Sequence, residues 1–418
     1  MRDQEPGPDP AERRLTTQEA AELLGVKPET VYAYVSRGHL SSRRVPGGRG
    51  STFDAKEVET LARRNRRESA GGSGSGGELS VRTRLTFIGA DRYYFRGVDA
   101  TELAARHSYE EVAEWLWTGR MRPGVTFTAP EASVTAARHA VGALPEHAGP
   151  TDRLRVAAIA AAVADPLRFD LSEEAVLGTA RVLIPTLVAA LTPVRFAYRD
   201  EGPIAHRLWQ QLSGQPADEA ALRVLDTALA LLVDHDLAAS TLAVRVAASA
   251  RAHAYAAVSA GLGVIEGPLH GAASGLAHKL ILEVLDQGDA GPVIAEELRA
   301  GRRVPGLGHR LYSGEDPRAR VLFELLEEIP RCEPALAAAR DIAATAARYT
   351  PLRANVDLAL AVFTASSGMP ATAGEAIFAV ARMAGWIAHA LEEYGERPLR
   401  MRPSGHYTGP KPPQPLPE

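Results

Sequence analysis

The sequence is poor in cysteine, in aromatic residues and in long apolar runs. Its single cysteine, Cys332, excludes an intrachain disulfide framework and a cysteine-based metal site. Aromatic residues make up only 6% of the chain, and continuous runs of Val, Ile and Thr are scarce, which argues against a large β-sheet. The longest apolar stretch, residues 176–194, is interrupted by Arg181 and Pro185. It therefore predicts a buried helix rather than a membrane span.

The first fourteen residues are charged and Pro-rich, and they lack the apolar segment of a secretory signal. Together with the single cysteine, this predicts a protein of the reducing cytoplasm. The net charge of −4 excludes a uniformly basic nucleic-acid binder. Residues 24–67 nevertheless carry ten Lys or Arg against four Asp or Glu. This local basic excess indicates a separate interaction surface.

Hydrophobic residues make up 45% of the chain, and Ala and Leu are the most frequent of them. Because Ala and Leu favour helices, this composition predicts a mainly α fold. The segment ESAGGSGSGGE, residues 68–78, has the composition of a flexible linker and marks a domain boundary. We therefore predict a disordered tail over residues 1–14, a compact helical unit over residues 15–67 and a large helical unit over residues 79–418.

Within the small unit, Thr17 is predicted to cap a first helix ending at Leu24. Pro28 suits the first turn of a second helix that ends near Ser36. The next segment predicts a two-stranded wing that turns at residues 47–48. A closing helix, DAKEVETLARRNRR, follows.

This arrangement resembles the winged helix-turn-helix domains of the MerR and excisionase type over about fifty residues. The resemblance implies DNA binding, with the second helix in the major groove and the wing on phosphate. The candidate contacts are Lys27, Thr30, Tyr32, Ser36, Arg37, Arg43, Arg44 and Arg49. A small protein-interaction module with a solvated basic face is the alternative.

The large unit carries histidines in three unusual segments and an aspartate in a fourth. These segments are VDHDLAAST with His235, GPLHGAAS with His270, GLGHRLYSGEDPRAR with His309 and Arg318, and ANVDLAL with Asp357. The histidines lack partners at zinc-ligand spacing, and no phosphate-binding glycine loop is present. The segments therefore predict neither a metal site nor a nucleotide site.

In this order the segments resemble those of the citrate synthase family. The resemblance covers residues 79–410 and includes the segments at residues 92–121, 379–393 and 402–410. It implies a two-domain helical fold with a small domain at about residues 271–364. It also implies condensation of acetyl-CoA or propionyl-CoA with oxaloacetate, giving citrate or 2-methylcitrate and CoA.

The resemblance also implies residue roles that suit this chemistry. Asp357 resembles the base that removes a proton from the acyl carbon, and His270 resembles the residue that hydrogen-bonds the thioester oxygen. His309 resembles the donor that polarises the ketone. The implied oxo-acid ligands are His235, Arg318, Arg382 and Arg402, because guanidinium groups match carboxylates.

Arg402 is implied to reach into the neighbouring subunit's site, which predicts a homodimer. Outside these motifs, a surface salt bridge would be the preferred explanation for such arginines. No cofactor is implied, since acyl-CoA is a substrate.

The sequence departs from the family at several places. Leu232 stands where the family has a further histidine, Ala272 and Ser274 replace Gly and Asn, and Ser313 replaces a basic residue near the CoA phosphates. An alternative function is therefore a DNA-binding regulator that uses the synthase domain as a metabolite sensor. The intact set of Asp357, His270 and His309 favours catalysis, because a sensor has no use for a carbon-acid base.

Overall fold

The structure is a computed structural model of the chain. It describes residues 14–24, 26, 28–36, 40–44, 51–69, 81–192, 201–267, 270–271, 273–312, 314–403, 406–411, 413–414 and 416, without the side chains of residues 29, 33, 36, 44 and 63–69. The chain divides into two compact units, Met1–Arg82 and Thr83–Glu418. Most of the predicted tail and of the predicted linker lies outside the described residues.

The first unit combines three helices with a three-stranded antiparallel sheet. Its elements are β1 (Arg14–Thr16), α1 (Thr17–Leu24), α2 (Pro28–Ser36), β2 (Ser42–Arg44), β3 (Ser51–Asp54) and α3 (Ala55–Ser69). The strand order is β1-β3-β2. Helix α2 and the pairing of β2 with β3 agree with the predicted second helix and wing. Helix α3 runs two residues further than predicted, to Ser69, at the start of the predicted linker.

The start of α1 corrects one prediction. Thr16, not Thr17, makes the capping contacts, since Glu19 N donates to Thr16 Oγ1 at 3.3 Å and Thr16 N donates to Glu19 Oε2 at 2.8 Å. The reason is spacing, because a capping threonine needs its acidic partner three residues later. Strand β1, which precedes this cap, was not predicted.

The second unit begins with a small sheet and continues as packed helices. Its elements are β4 (Thr86–Ile88), β5 (Tyr93–Phe95), β6 (Val98–Asp99), α4 (Ala100–Arg106), α5 (Tyr109–Thr118), α6 (Glu131–Gly142), α7 (Pro150–Ala164), α8 (Glu173–Ala190), α9 (Ile204–Leu212), α10 (Glu219–Leu232), α11 (Ala239–Ser249), α12 (Ala254–Ile265), α13 (Ala273–Gln287), α14 (Ala290–Arg299), α15 (Pro317–Glu327), a short 3-10 helix (Pro330–Cys332), α16 (Glu333–Ala346), α17 (Val356–Ser366) and α18 (Ala373–Tyr394). The predicted mainly α class is therefore confirmed. Helices α13–α17 cover the predicted small domain, residues 271–364, and pack on one another, while the existence of a separate small domain stays a prediction.

The sequence signals of two helices agree with the structure. Ser108 followed by Glu111 three residues later is a capping-box pattern, and the two residues form that box at the start of α5. The helical spacing of Ile377, Val380, Ala384 and Ile387 predicts a helix over residues 372–393, and α18 agrees with it within one residue at each end. The long apolar stretch lies largely in α8, whose residues are mostly buried. Among the described residues, no helix is long and apolar enough to cross a membrane.

Helix α18 packs against the short segment that carries His235, and glycine makes the approach possible. A Cβ atom on Gly385 would lie 2.1 Å from the carbonyl oxygen of Val233. A Cβ on Gly261 of α12 would likewise lie 2.8 Å from the ring of Trp386. Small residues at these contacts let backbones pack directly, as in other close-packed interiors. The position of His235 is thereby fixed relative to α18.

Candidate active site

Two loops that carry predicted site residues are joined by backbone and side-chain hydrogen bonds. Gly308 N donates to the carbonyl oxygen of Arg353 at 2.7 Å, and Asn355 N donates to that of Gly306 at 2.9 Å. The side-chain amide of Asn355 also donates to the carbonyl oxygen of Gly308 at 2.8 Å. These bonds hold His309, the residue after Gly308, beside the start of α17.

Asp357 lies in the first turn of α17, which Asn355 caps. The side-chain oxygen of Asn355 accepts a hydrogen bond from Asp357 N at 3.0 Å. Burial raises the pKa of Asp357 to about 6, with Asp316 adding to the rise and Arg318 opposing it. A carboxylate of this kind is a stronger base than an exposed one, yet it is mostly ionised at neutral pH.

Arg318 and Asp316 form a buried bidentate pair at the start of α15. Arg318 Nε and Nη2 donate to the two oxygens of Asp316 at 2.9 and 2.8 Å. Asp316 also accepts a hydrogen bond from Val356 N at 3.0 Å, which joins α15 to α17. Burial would raise the pKa of Asp316, but the charge of Arg318 holds it below its usual value. Because a guanidinium has five N–H groups, Arg318 retains donors for a ligand.

His235 and His309 lie together with Tyr312. The two imidazole rings meet edge to face at 5.1 Å between centroids. His235 Nε2 lies 2.8 Å from the hydroxyl of Tyr312, whose ring lies 4.9 Å from that of His309. Burial and the charge of Arg318 lower the pKa of His309 to about 4, and burial lowers the pKa of His235 well below its usual value. Both rings are therefore neutral at pH 7.

The proton position on His309 follows from its neighbour. Leu311 N donates to His309 Nδ1 at 3.1 Å. Because Nδ1 accepts this bond, the proton of the neutral ring lies on Nε2. His309 can therefore donate through Nε2 to a bound carbonyl oxygen.

Arg382 brings a second buried guanidinium to the site from α18. Its Nε donates to the carbonyl oxygen of Leu232 at 2.9 Å, and its guanidinium carbon lies 4.8 Å from the centroid of the Phe378 ring. Burial lowers the pKa of Arg382 to about 10; Asp234 opposes this shift and the charge of Arg318 adds to it. Leu232, which stands in place of a family histidine, thus contributes its backbone oxygen.

His270 joins the site through Phe378 and Arg382. Its ring lies 6.1 Å from that of Phe378, centroid to centroid. Ser240 Oγ lies 2.7 Å from His270 Nε2. Burial, with a smaller effect of Arg382, lowers the pKa of His270 to about 4. This histidine is therefore also neutral at pH 7.

The structure thus brings six predicted residues into one region and leaves one outside it. The residues that lie together, linked by contacts or by mutual electrostatic effects, are His235, His270, His309, Arg318, Asp357 and Arg382. Arg402 is exposed, and within the described chain it forms no ion pair with this group.

Five residues of the site were not predicted: Ser240, Tyr312, Asp316, Asn355 and Phe378. Asn355 could have been found, since an asparagine two residues before Asp357 is a helix-cap signal. Tyr312 follows His309 by three residues, but nothing in the sequence shows that its hydroxyl meets His235. Ser240 and Phe378 lie in helices far from His270 in sequence, so only tertiary packing brings them together.

The candidate DNA contacts are only partly described. Lys27, Arg37 and Arg49 lie outside the described residues, as do the side chains of Ser36 and Arg44. Thr30 is half-buried on α2, and Arg43 is exposed on β2. Tyr32 is 48% exposed, while its ring packs edge-on against Phe53 at 6.4 Å and its hydroxyl lies 3.2 Å from Thr17 Oγ1.

Comparisons with known proteins agree with both halves of this description. The family model described as "Citrate synthase, C-terminal domain" matches residues 74–404, and one described as "Helix-turn-helix domain" matches residues 14–66. A citrate synthase of Haloferax volcanii is 31% identical over 80% of this chain and 95% of its own length. A 2-methylcitrate synthase of Shewanella oneidensis is 26% identical over 83% of this chain and 97% of its own. The crystal structure of citrate synthase from Pyrobaculum aerophilum superposes with a TM-score of 0.67, at 26% identity, over 81% of this chain and 92% of that one.

Proposed function

The chain belongs to the citrate synthase family, and we propose on that basis that its second unit condenses an acyl-CoA with oxaloacetate. The products are citrate and CoA from acetyl-CoA, or 2-methylcitrate and CoA from propionyl-CoA. The observation that carries the proposal is that Asp357, His270 and His309 lie in one region with the two buried guanidinium groups of Arg318 and Arg382. The acyl-CoA is a substrate, and the chemistry asks for no further cofactor.

The proposed reaction assigns one task to each group. The Asp357 carboxylate removes a proton from the carbon next to the thioester carbonyl, while His270 hydrogen-bonds the thioester oxygen as charge develops there. Ser240 occupies Nε2 of His270, so Nδ1 is the nitrogen assigned to the thioester. The new carbon–carbon bond forms at the ketone carbon, and His309 Nε2 gives its proton to the ketone oxygen. Water then cleaves the thioester and releases CoA.

The oxo acid is proposed to bind between His235, Arg318 and Arg382. Arg382 is buried, and its described hydrogen bond goes to a backbone carbonyl rather than to a carboxylate. A buried cation in that state favours an anionic ligand, since an uncompensated charge is costly in a protein interior. A dicarboxylate supplies two such groups for two guanidinium partners.

The test of this activity is release of free CoA from acetyl-CoA and from propionyl-CoA, each with oxaloacetate. We expect release from at least one thioester that depends on oxaloacetate. The ratio of kcat/KM for the two thioesters identifies the natural acyl group. No oxaloacetate-dependent release from either thioester would refute the proposal and favour the sensor alternative.

We also propose that the enzyme is a homodimer in which Arg402 completes the neighbouring site. Exposed apolar residues on α7 support a contact surface there, with Ile159 59% and Val163 71% exposed. Mixing Arg402→Ala with Asp357→Ala subunits should restore activity, because one hybrid site then carries neither change. No recovery in heterodimers shown to have formed would contradict the shared site.

A cytoplasmic location is part of the proposal, supported by the free, buried Cys332.

For the first unit we propose DNA binding through α2 and the wing. The support is the helix-turn-helix family match and the basic excess of residues 24–67. Two such units in a dimer suit an inverted-repeat site. The full-length protein should bind the upstream region of its own gene more tightly than random DNA, with an affinity that falls as salt rises. Arg43→Ala should weaken binding and reduce the salt dependence by about one counterion.

If neither the full-length protein nor residues 1–70 binds DNA in this way, the first unit is a protein-interaction module. A regulator without turnover would instead bind DNA and oxaloacetate but release no CoA. The two assays together therefore separate a DNA-binding enzyme from a metabolite sensor.

A further inference from the structure

A network of hydrogen-bonded, buried polar side chains begins beside His235. The proposed reaction does not use these side chains. Asp234 is fully buried. Its carboxylate accepts hydrogen bonds from Thr86 Oγ1 and, at 3.2 Å, from Nε2 of His389. His389 is also fully buried and lies in the AHALEE segment of α18. The network therefore starts at Asp234, the residue before His235, which is a proposed oxo-acid ligand.

The orientation of His389 is fixed from both sides. Arg245 Nη1 lies 2.7 Å from His389 Nδ1. A guanidinium can only donate, so Nδ1 accepts and the proton of the ring lies on Nε2. That proton is the one donated to Asp234. His389 thus bridges Arg245 and Asp234 with its two ring nitrogens.

Beyond Arg245 the network continues to the C-terminal end of α18. Arg245 Nη1 donates to Glu392 Oε2 at 2.8 Å, and Arg245 Nε lies 3.4 Å from Glu393 Oε2. The same oxygen of Glu393 accepts a hydrogen bond from Arg400 Nη2 at 2.6 Å. Arg245 and Glu393 are almost fully buried, whereas the Arg400 side chain is 26% exposed.

Arg400 belongs to a short segment, residues 399–402, which we name the C-terminal arm. Leu399 N donates to the carbonyl oxygen of Ser249 at 2.8 Å, and Met401 N donates to Ser249 Oγ at 3.3 Å. Leu399 has a φ of 58°, an unusual value for a residue with a branched side chain. The arm is therefore held in a defined turn, and Arg402 is its last residue.

One helix carries both ends of this connection. Arg382, His389 and Glu393 are spaced by about two turns and one turn, so they share a face of α18. Arg382 lies at the oxo-acid site, and Glu393 holds the arm. If a side chain at one end of this face moves, its partners must move with it, because breaking a buried pair would leave an unpaired charge in the interior.

We propose that His389 is a positioning residue whose network holds the His235 segment of its own site and the C-terminal arm as one unit. The inference rests on the proposed function, in which Arg402 of the arm completes the partner's site. Each subunit's network then shapes two sites: its own through His235 and the neighbouring one through Arg402. The predicted consequence is that a change at His389 weakens oxaloacetate binding in a site whose own residues are unaltered.

The test uses purified heterodimers in which the two subunits carry different tags. One subunit is unaltered and provides the single live site. The donor subunit carries Asp357→Asn, which silences its own site, alone or together with Arg402→Ala, His389→Leu or Arg400→Ala. The readouts are KM for oxaloacetate, KM for the acyl-CoA and kcat per live site.

We expect each added donor change to raise KM for oxaloacetate at the live site about fivefold or more, a usual size for coupling between sites. KM for the acyl-CoA and kcat should stay within about twofold, because the chemical groups of the live site are unaltered. His389→Gln in the donor should restore a low KM, since its amide can both accept from Arg245 and donate to Asp234. Arg400→Ala placed in the live subunit is the matched control, and it should leave that site's KM within about twofold, because Asp234 beside His235 keeps its bond to His389 when only the arm contact is lost.

The outcomes separate the two claims. If Arg402→Ala in the donor leaves KM unchanged, the shared site is wrong and this inference fails with it. If Arg402→Ala raises KM but His389→Leu and Arg400→Ala do not, the proposed function stands and the inference alone is overturned. Should His389→Leu fail to assemble, the more exposed Arg400→Ala gives the same decision.

Discussion

Asn355 donates a hydrogen bond from its side-chain amide to the carbonyl oxygen of Gly308 over 2.8 Å. With the same side chain it caps α17 by accepting from Asp357 N at 3.0 Å. One asparagine thus sets the position of His309, the proposed ketone donor, relative to Asp357, the proposed base. Catalysis needs such groups held to within a fraction of an ångström.

Replacing Asn355 separates these two contacts. Asn355→Ala should lose both the cap and the loop contact, lowering the free energy of unfolding by about 1–2 kcal/mol and lowering kcat. Asn355→Asp keeps an oxygen for the cap but cannot donate to Gly308, so it should be more stable than the alanine variant while kcat stays low. Urea unfolding and steady-state kinetics measure the two effects. Normal turnover in both variants would show that this contact does not position the site.

Removing the proposed base should abolish most turnover while leaving the fold intact. We expect Asp357→Asn to lower kcat by about 10²–10⁴, the usual contribution of a positioned base. The measurement is oxaloacetate-dependent CoA release, with circular dichroism as the control for folding. Turnover near that of the unaltered enzyme would refute the assignment of Asp357.

The pH dependence should report the same carboxylate. Asp357 acts as a base only when ionised, and its pKa is raised to about 6. The kcat/KM for the acyl-CoA should therefore rise about tenfold per pH unit below pH 6 and level off above it. His270 and His309, with pKa values of about 4, stay neutral across that range. A rising limb with its midpoint near pH 4 would contradict the buried-base interpretation.

The raised pKa also predicts a cost in stability. The folded state holds the Asp357 proton more tightly than the unfolded chain, whose pKa is close to 3.8. Ionisation therefore destabilises the fold as pH rises from about 4 to about 6, and the cost is fully present above pH 6. Asp357→Asn should raise the free energy of unfolding by about 1–3 kcal/mol at pH 8 and by little at pH 4. Unfolding in urea at the two pH values checks this, and an equal effect at both would contradict it.

Arg382 should govern oxo-acid affinity. Arg382→Met removes the buried cation but keeps an apolar side chain, so KM for oxaloacetate should rise about 10²-fold while KM for the acyl-CoA changes little. Stability should be unchanged or higher, because a buried charge is replaced by an apolar group. Arg302→Met is the control, since Arg302 is 58% exposed and paired with Glu297. An equal KM for oxaloacetate in the two variants would contradict the assigned role.

Local signals predicted the helices well where cap and periodicity agreed. The capping box of Ser108 marks the start of α5, and the apolar spacing over residues 372–393 agrees with α18 within one residue at each end. The same reasoning chose the wrong threonine at α1, because Thr16 and Thr17 are adjacent and the position of Glu19 decides between them. Family motifs, rather than periodicity, supplied the candidate site residues.

Contacts between segments that are distant in the chain could not be predicted from the sequence. The sheet of β4, β5 and β6 was not predicted, since strands of two or three residues depend on their pairing and burial rather than on propensity. Tyr93 of this sheet is fully buried and packs its ring 5.5 Å from that of His235. The network through His389 likewise joins residues from α11, α18 and the arm, so no single window of sequence contains it.

Gly385 affects how a map of mutational tolerance for this protein should be interpreted. Any side chain there would collide with the carbonyl oxygen of Val233, only 2.1 Å from the position of a Cβ atom. In a saturation screen scored by growth, position 385 should be as intolerant as Asp357, although it touches no substrate. A parallel screen scored by protein abundance should separate them, with Gly385 variants depleted and Asp357 variants retained. Glycines of this kind enlarge the apparent active site in any screen that reads activity alone.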